Sequence, residues 1–206
     1  MSIFSGMNNL KDLSFDASCT DLCGYTQEEL ESNYHDHLVL LAQKEEITLP
    51  ALLDKIKYWY NGYRFSEEKI TVYNPFSIVY LCDEKKFSNY WYQSGSPSYL
   101  MKLLKTHYFK SEGIENKYYP LRSLQNSITP DNNIDFIPLL LQAGYLTITD
   151  YEKENNAFKL DYPNFECKEA FSMLILDLYA DKDPVSISAI IDKQFFDNDK
   201  ITIKTN

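Results

Sequence analysis

Ile134-Asp135-Phe136-Ile137-Pro138-Leu139-Leu140-Leu141-Gln142-Ala143-Gly144-Tyr145-Leu146-Thr147-Ile148-Thr149 is the stretch that decides the fold. Residues 134–143 are an apolar run of helical length with Pro138 in its first turns, and Gly144 can end a helix in the left-handed conformation without a Cβ penalty. The period then changes to two. Tyr145 to Thr149 alternate, Ala157-Phe158-Lys159-Leu160 alternate again, and Glu152 to Asn156 supply a polar turn between them. Pro163-Asn164 opens a further helix through Phe171, Leu174, Ile175 and Leu178. Helix, glycine, hairpin, helix is the order expected of a winged-helix-like module.

Upstream the signals are helical. Thr26-Gln27-Glu28-Glu29 is a capping box, and Leu30, Tyr34, Leu38 and Leu41 follow at helical spacing, which predicts one helix over about 27–44. Thr48 caps a second helix with Pro50 in its first turn and Leu52, Leu53, Ile56 and Trp59 or Tyr60 inward, and Asn61-Gly62 stops it. Ile70-Thr71-Val72-Tyr73 reads as a short strand. Asn74-Pro75 starts a third helix and Ser96-Pro97 a fourth, with Leu100, Leu103 and Leu104 inward. Residues 108–133 are polar and carry Gly113, Pro120 and Pro130, a pattern of short helices and loops. The expected fold is mainly α with a small β-hairpin: a helical part followed by a winged-helix-like module.

Composition narrows the function. A chain of 206 residues forms about one or two domains. The formal net charge of -10 repels phosphate backbones and anionic lipid, and the helix at 134–143 has no Lys or Arg to enter a major groove, so nucleic acid is an unlikely partner. No segment reaches the roughly 18 apolar residues of a membrane span, and Met1 to Leu10 has neither a basic start nor an apolar run. Cys19, Cys23, Cys82 and Cys167 are dispersed, which fits a reduced, cytoplasmic setting.

Catalytic readings find little support. No Gly is followed by Lys anywhere, so the backbone cradle of a Walker A loop cannot form. His35-Asp36-His37 places its two imidazoles on different sides of a helix, which suits a solvated surface better than a metal ion. Pro130-Asp131 before Glu166-Cys167-Lys168 spells the letters of a PD-(D/E)XK nuclease motif, but Glu166 and Lys168 fall in the first turn of a helix, where a glutamate complements the helix dipole. The cluster Tyr58, Trp59, Tyr60, Tyr63 and Phe65 packs helices together in the simpler account. Trp59, Tyr60, Tyr63 and Arg64 are the candidate partner-binding residues in the other.

Several motifs in order carry a resemblance: Ser2 to Leu10, Trp59-Tyr60-Asn61-Gly62-Tyr63-Arg64-Phe65, Tyr73-Asn74-Pro75-Phe76-Ser77-Ile78, Tyr90-Trp91 with Ser94-Gly95 and Pro97, Leu139 to Ile148, and Leu160-Asp161-Tyr162-Pro163-Asn164. Together they resemble the bacterial AAA-ATPase-like family, whose members join a P-loop ATPase core to a helical lid with a winged-helix-like part and a PD-(D/E)XK-type nuclease domain. The resemblance implies that residues 1–25 follow an ATPase core that this chain lacks. It makes 26–130 a lid-like domain, 131–183 the winged-helix-like module and 184–206 a tail. It also implies that Gly95, Ser96 and Pro97 form a turn near the nucleotide base, although Ser96 as N-cap and Pro97 as first helical residue explain the same letters. With Walker A, Walker B and the nuclease domain missing, the expectation is a non-catalytic regulatory or interaction module. It would have a protein partner, no cofactor of its own, and ATP and magnesium only where another chain supplies the P-loop core. A metal-dependent nuclease using Asp131, Glu166 and Lys168, or a nucleic-acid-binding winged helix, is the alternative.

Overall fold

Helix-starting chemistry sets the first half of the molecule. The structure, a computed structural model, describes residues 13–93, 117–125 and 136–179. After a 3-10 turn at Ala17–Cys19, Thr26 caps α1 (Gln27–Asn33) with both arms of the capping box in place. Thr48 caps α3 (Leu49–Tyr60), and Asn74 caps α4 (Pro75–Glu84) through its side-chain oxygen and Phe76 N–H. Between α1 and α3 lies α2 (His35–Lys44). The single helix expected over 27–44 is therefore two. Tyr34 breaks it at φ -115°, ψ 12°, and its hydroxyl bonds that of Tyr25 instead of lying along a continuous helix. This bend lets Leu30, Leu38 and Leu41 enter one core with Leu52, Ile56, Tyr60, Tyr73, Ile78, Leu81 and Tyr90.

The strand expected at Ile70 to Tyr73 is not one. Val72 pairs with Tyr63 and Tyr73 pairs with Tyr25, each as an isolated antiparallel bridge. Successive residues face different partners, so no ladder propagates.

The second half follows the hairpin. A short α5 (Tyr90–Gln93), a strand β1 (Tyr118–Pro120) and a single turn α6 (Leu121–Leu124) precede α7 (Phe136–Gln142). Gly144 at φ 79° ends α7, with Gly144 N–H bonded to Leu141 O and Tyr145 N–H to Leu140 O, the paired bonds of a Schellman cap. Tyr145 and Leu146 belong to that cap, and β2 begins at Thr147 (Thr147–Glu152). It pairs antiparallel with β3 (Ala157–Asp161), with an irregularity between Ile148 and Asp150. The sheet order is β1-β3-β2, so β1 adds a third strand the sequence did not announce, arriving from the far side of the division expected at residue 130. The fold is thus mainly α with a small three-stranded antiparallel sheet. Asn164 then caps α8 (Phe165–Tyr179) by accepting from Cys167 N–H. Leu139, Leu140, Tyr145, Leu146, Ile148, Phe158, Leu160, Phe171 and Leu174 form the second core.

Gly62 lies where the two halves touch. Asn61, extended at φ -85° and ψ 178°, ends α3, and Gly62 follows at φ 110°. A Cβ there would sit 1.9 Å from the Pro163 carbonyl oxygen, so glycine answers to a close backbone approach as well as to its dihedral. Gly62→Ala is expected to lower unfolding free energy by about 2–4 kcal/mol in urea denaturation, because neither strain nor clash can relax without parting α3 from α8.

Candidate functional site

Among the described residues, several of the recognisable motifs meet at the join between the two cores. Tyr63, Val72 and Cys167 form a small buried cluster there, with Trp91 packed against it. Three of the four partner-binding candidates are inside: Tyr60 is fully buried, and Tyr63 and Arg64 retain 7% and 6% exposure. Trp59 is half-buried, its ring edge-on to Phe165 of α8 at 4.7 Å, while Tyr58 stacks on the same Phe165. The aromatic cluster thus packs α3 against α8, as the simpler account has it, and Tyr58 and Phe65 alone keep large exposed faces.

Arg64 organises the loop after it. Its guanidinium donates to the carbonyls of Ser66, Glu67 and Glu68 and, across the join, to Thr149 O at 3.1 Å. Its backbone N–H donates to Thr147 Oγ1 at 2.8 Å. Thr147 occupies the outward position of the β2 alternation, between Leu146 and Ile148, yet is only 3% exposed because this loop covers it. Thr147 was missed because a period-two pattern assigns the far face to solvent.

Glu166 is a buried carboxyl at the join. It stands in the first turn of α8 with no exposed surface. Its Oε2 accepts from Ser77 Oγ on α4 at 2.8 Å, and its Oε1 accepts from the backbone N–H groups of Tyr90 and Trp91 at 2.8 and 2.9 Å. Burial is the largest influence on its pKa and raises it. The bonds from Trp91, Ser77 and Tyr90 pull it down and the Glu169 charge pushes it up again, leaving Glu166 at about 7. Both carboxylate oxygens are thus engaged by protein donors. Of the other members of the nuclease lettering, Lys168 donates its backbone N–H to Asn164 O at the start of α8, and Asp131 lies outside the described residues.

Cys167 lies 2.9 Å from Tyr63 Oη, and burial drives both the thiol and the phenol well above their ordinary values, so Cys167 is not a thiolate nucleophile near neutrality. His35 and His37 are exposed on α2, and among the described residues no group of three His, Cys, Asp or Glu side chains is placed to hold a metal ion. Gly95, Ser96 and Pro97 lie outside the described residues.

Two surfaces remain. A cleft of about 450 Å³ opens beside the join, lined by Phe15, Leu22, Cys23, Phe65, Leu141 and Leu146 among others. On α4, Phe76, Val79 and Tyr80 are 38%, 46% and 40% exposed and form one helical stripe at i, i+3, i+4. Among the described residues no helix is long and apolar enough to cross a membrane.

No family model and no solved structure matches the chain. A protein from Azotobacter chroococcum mcd 1, described as an uncharacterized protein in the vnfD 5' region, is 32% identical over 189 residues. The alignment covers 91% of this chain and 34% of that protein, so the chain spans about a third of the length of this curated relative.

Arg64→Lys is expected to cost about 2–3 kcal/mol of stability by urea denaturation followed by circular dichroism. An ammonium cannot reproduce the guanidinium fork, which leaves buried carbonyls unpaired.

Proposed function

We propose that this chain is a non-catalytic regulatory or interaction module, corresponding to the lid and winged-helix-like part of an AAA-ATPase-like protein. The observation that carries this reading is the fate of the motif side chains. Tyr60 is buried within the first core, and Tyr63, Arg64 and Ser77 bond across the join, so these letters of the resemblance maintain a shape instead of presenting reactive groups. The match to about a third of a longer relative suits a module that works beside other domains.

A protein partner supplying a P-loop core fits best. The exposed stripe of Phe76, Val79 and Tyr80 offers an apolar contact on an acidic chain that disfavours nucleic acid. ATP and magnesium would enter through that partner, since this sequence contains no Gly-Lys step. A cytoplasmic setting is supported by four cysteines that are all free.

The test is nucleotide hydrolysis. The purified chain is expected to release no phosphate from ATP with magnesium above the buffer rate. Association with a separately expressed P-loop core of the family is expected, and Val79→Lys with Tyr80→Lys should abolish it while shifting stability by no more than about 0.5 kcal/mol. Magnesium-dependent hydrolysis by the chain alone would overturn the proposal.

A further inference from the structure

The two oxygens of Glu166 meet different kinds of partner. Oε1 faces the N–H groups of Tyr90 and Trp91, which only donate. Oε2 faces the Ser77 hydroxyl, which donates or accepts. An ionised carboxyl accepts a hydrogen bond from the Ser77 hydroxyl at Oε2. A neutral one keeps Oε1 as its carbonyl, donates from Oε2 to Ser77 Oγ, and loses none of the three bonds. The site is therefore built to hold a proton without rearrangement.

Its surroundings favour the neutral form. On α8 itself the neighbours are the Glu169 carboxylate and the Cys167 thiol. From α3 and the segment after it come the phenols of Tyr60 and Tyr63, and from α5 the phenol of Tyr90. From α4 comes Ser77, and from just before α5 the Asn89 amide, which bonds Glu166 O and Glu169 Oε2. Every one of these is neutral or acidic, and among the described residues no Lys or Arg bonds the Glu166 carboxyl.

We propose that Glu166 is a proton-operated latch between the two cores. Neutral, it holds the start of α8 against α4 and the first turn of α5; ionised, it draws water into the join and loosens that contact. The direction follows from linkage. The folded chain keeps a proton that the unfolded chain, with Glu166 near its ordinary 4.5, has released. The latch contribution is complete below that value and is lost as pH rises through about 7. The latch does not depend on the lid reading.

Hydrogen exchange of the Tyr90 and Trp91 amides tests it, comparing wild type with Glu166→Gln at the same pH. Glutamine mimics the neutral acid, with a carbonyl for the two N–H groups and an amide donor for Ser77. The ratio of variant to wild-type protection should be near one at about pH 4 and rise by at least about tenfold at about pH 8.5. An unchanged ratio would overturn the latch. Should the variant fail to fold, a carbon-13 titration of the Glu166 carboxyl in the wild-type chain decides alone. A midpoint near 7 supports the latch, and a midpoint shared with the exposed glutamates sinks it.

Discussion

Arg64 and Glu166 are buried at the join of the two cores, and each is satisfied by neutral dipoles instead of by an opposite charge. Arg64 gives its guanidinium to backbone carbonyls, and Glu166 receives two backbone N–H groups and one hydroxyl. Taking an ion out of water is costly unless its bonds are replaced with good geometry. Such an arrangement fixes backbone positions on both sides. The loop at Ser66 to Glu68, β2 at Thr149, the end of α4 carrying Ser77 and the first turn of α5 must all lie where these two side chains can reach them. The apolar clusters supply the larger driving force, but they are non-directional. The polar contacts define which surface of one core meets which surface of the other.

That constraint explains why the described motifs at Trp59 to Phe65, Asn74-Pro75 and Gly144 meet at the join. Trp59 to Phe65 ends α3, turns through Gly62 beneath Pro163 and delivers Arg64 to β2. The Asn74-Pro75 start of α4 sets the register that brings Ser77 to Glu166. Gly144 caps α7 so that Leu146 and Ile148 enter one core while Thr147 meets the Arg64 loop. Arg64, Ser77 and Thr147 are each held by hydrogen bonds across the join.

The local parts of the fold were legible in residues 26–62 and 136–165, where caps and stops are written in side-chain chemistry. Thr26, Thr48, Asn74, Gly144 and Asn164 all act within a few residues of themselves. Tyr34 was read as one more apolar position of a long helix because its spacing fits, and its bond to Tyr25 is a nonlocal contact. Ile70 to Tyr73 has the residue types of a strand, yet strand formation requires a continuous partner, and Tyr25 and Tyr63 provide only one residue each. Tyr118–Pro120 has a proline and no alternation long enough to notice, and it becomes β1 only because β3 offers an open edge.

What the sequence by itself determined is therefore the short-range grammar: helix starts and stops, the hairpin, the mainly helical class, and the absence of a Gly-Lys phosphate cradle. Only tertiary structure decided that Arg64 and Tyr63 point inward, that Thr147 on the nominally outer face is covered, and that Glu166 stands across from Ser77 and α5. Each of those outcomes depends on residues 75 or more positions apart in the chain. Capping and period express forces between near neighbours. The burial of a polar side chain depends on which distant backbone groups arrive to replace its water.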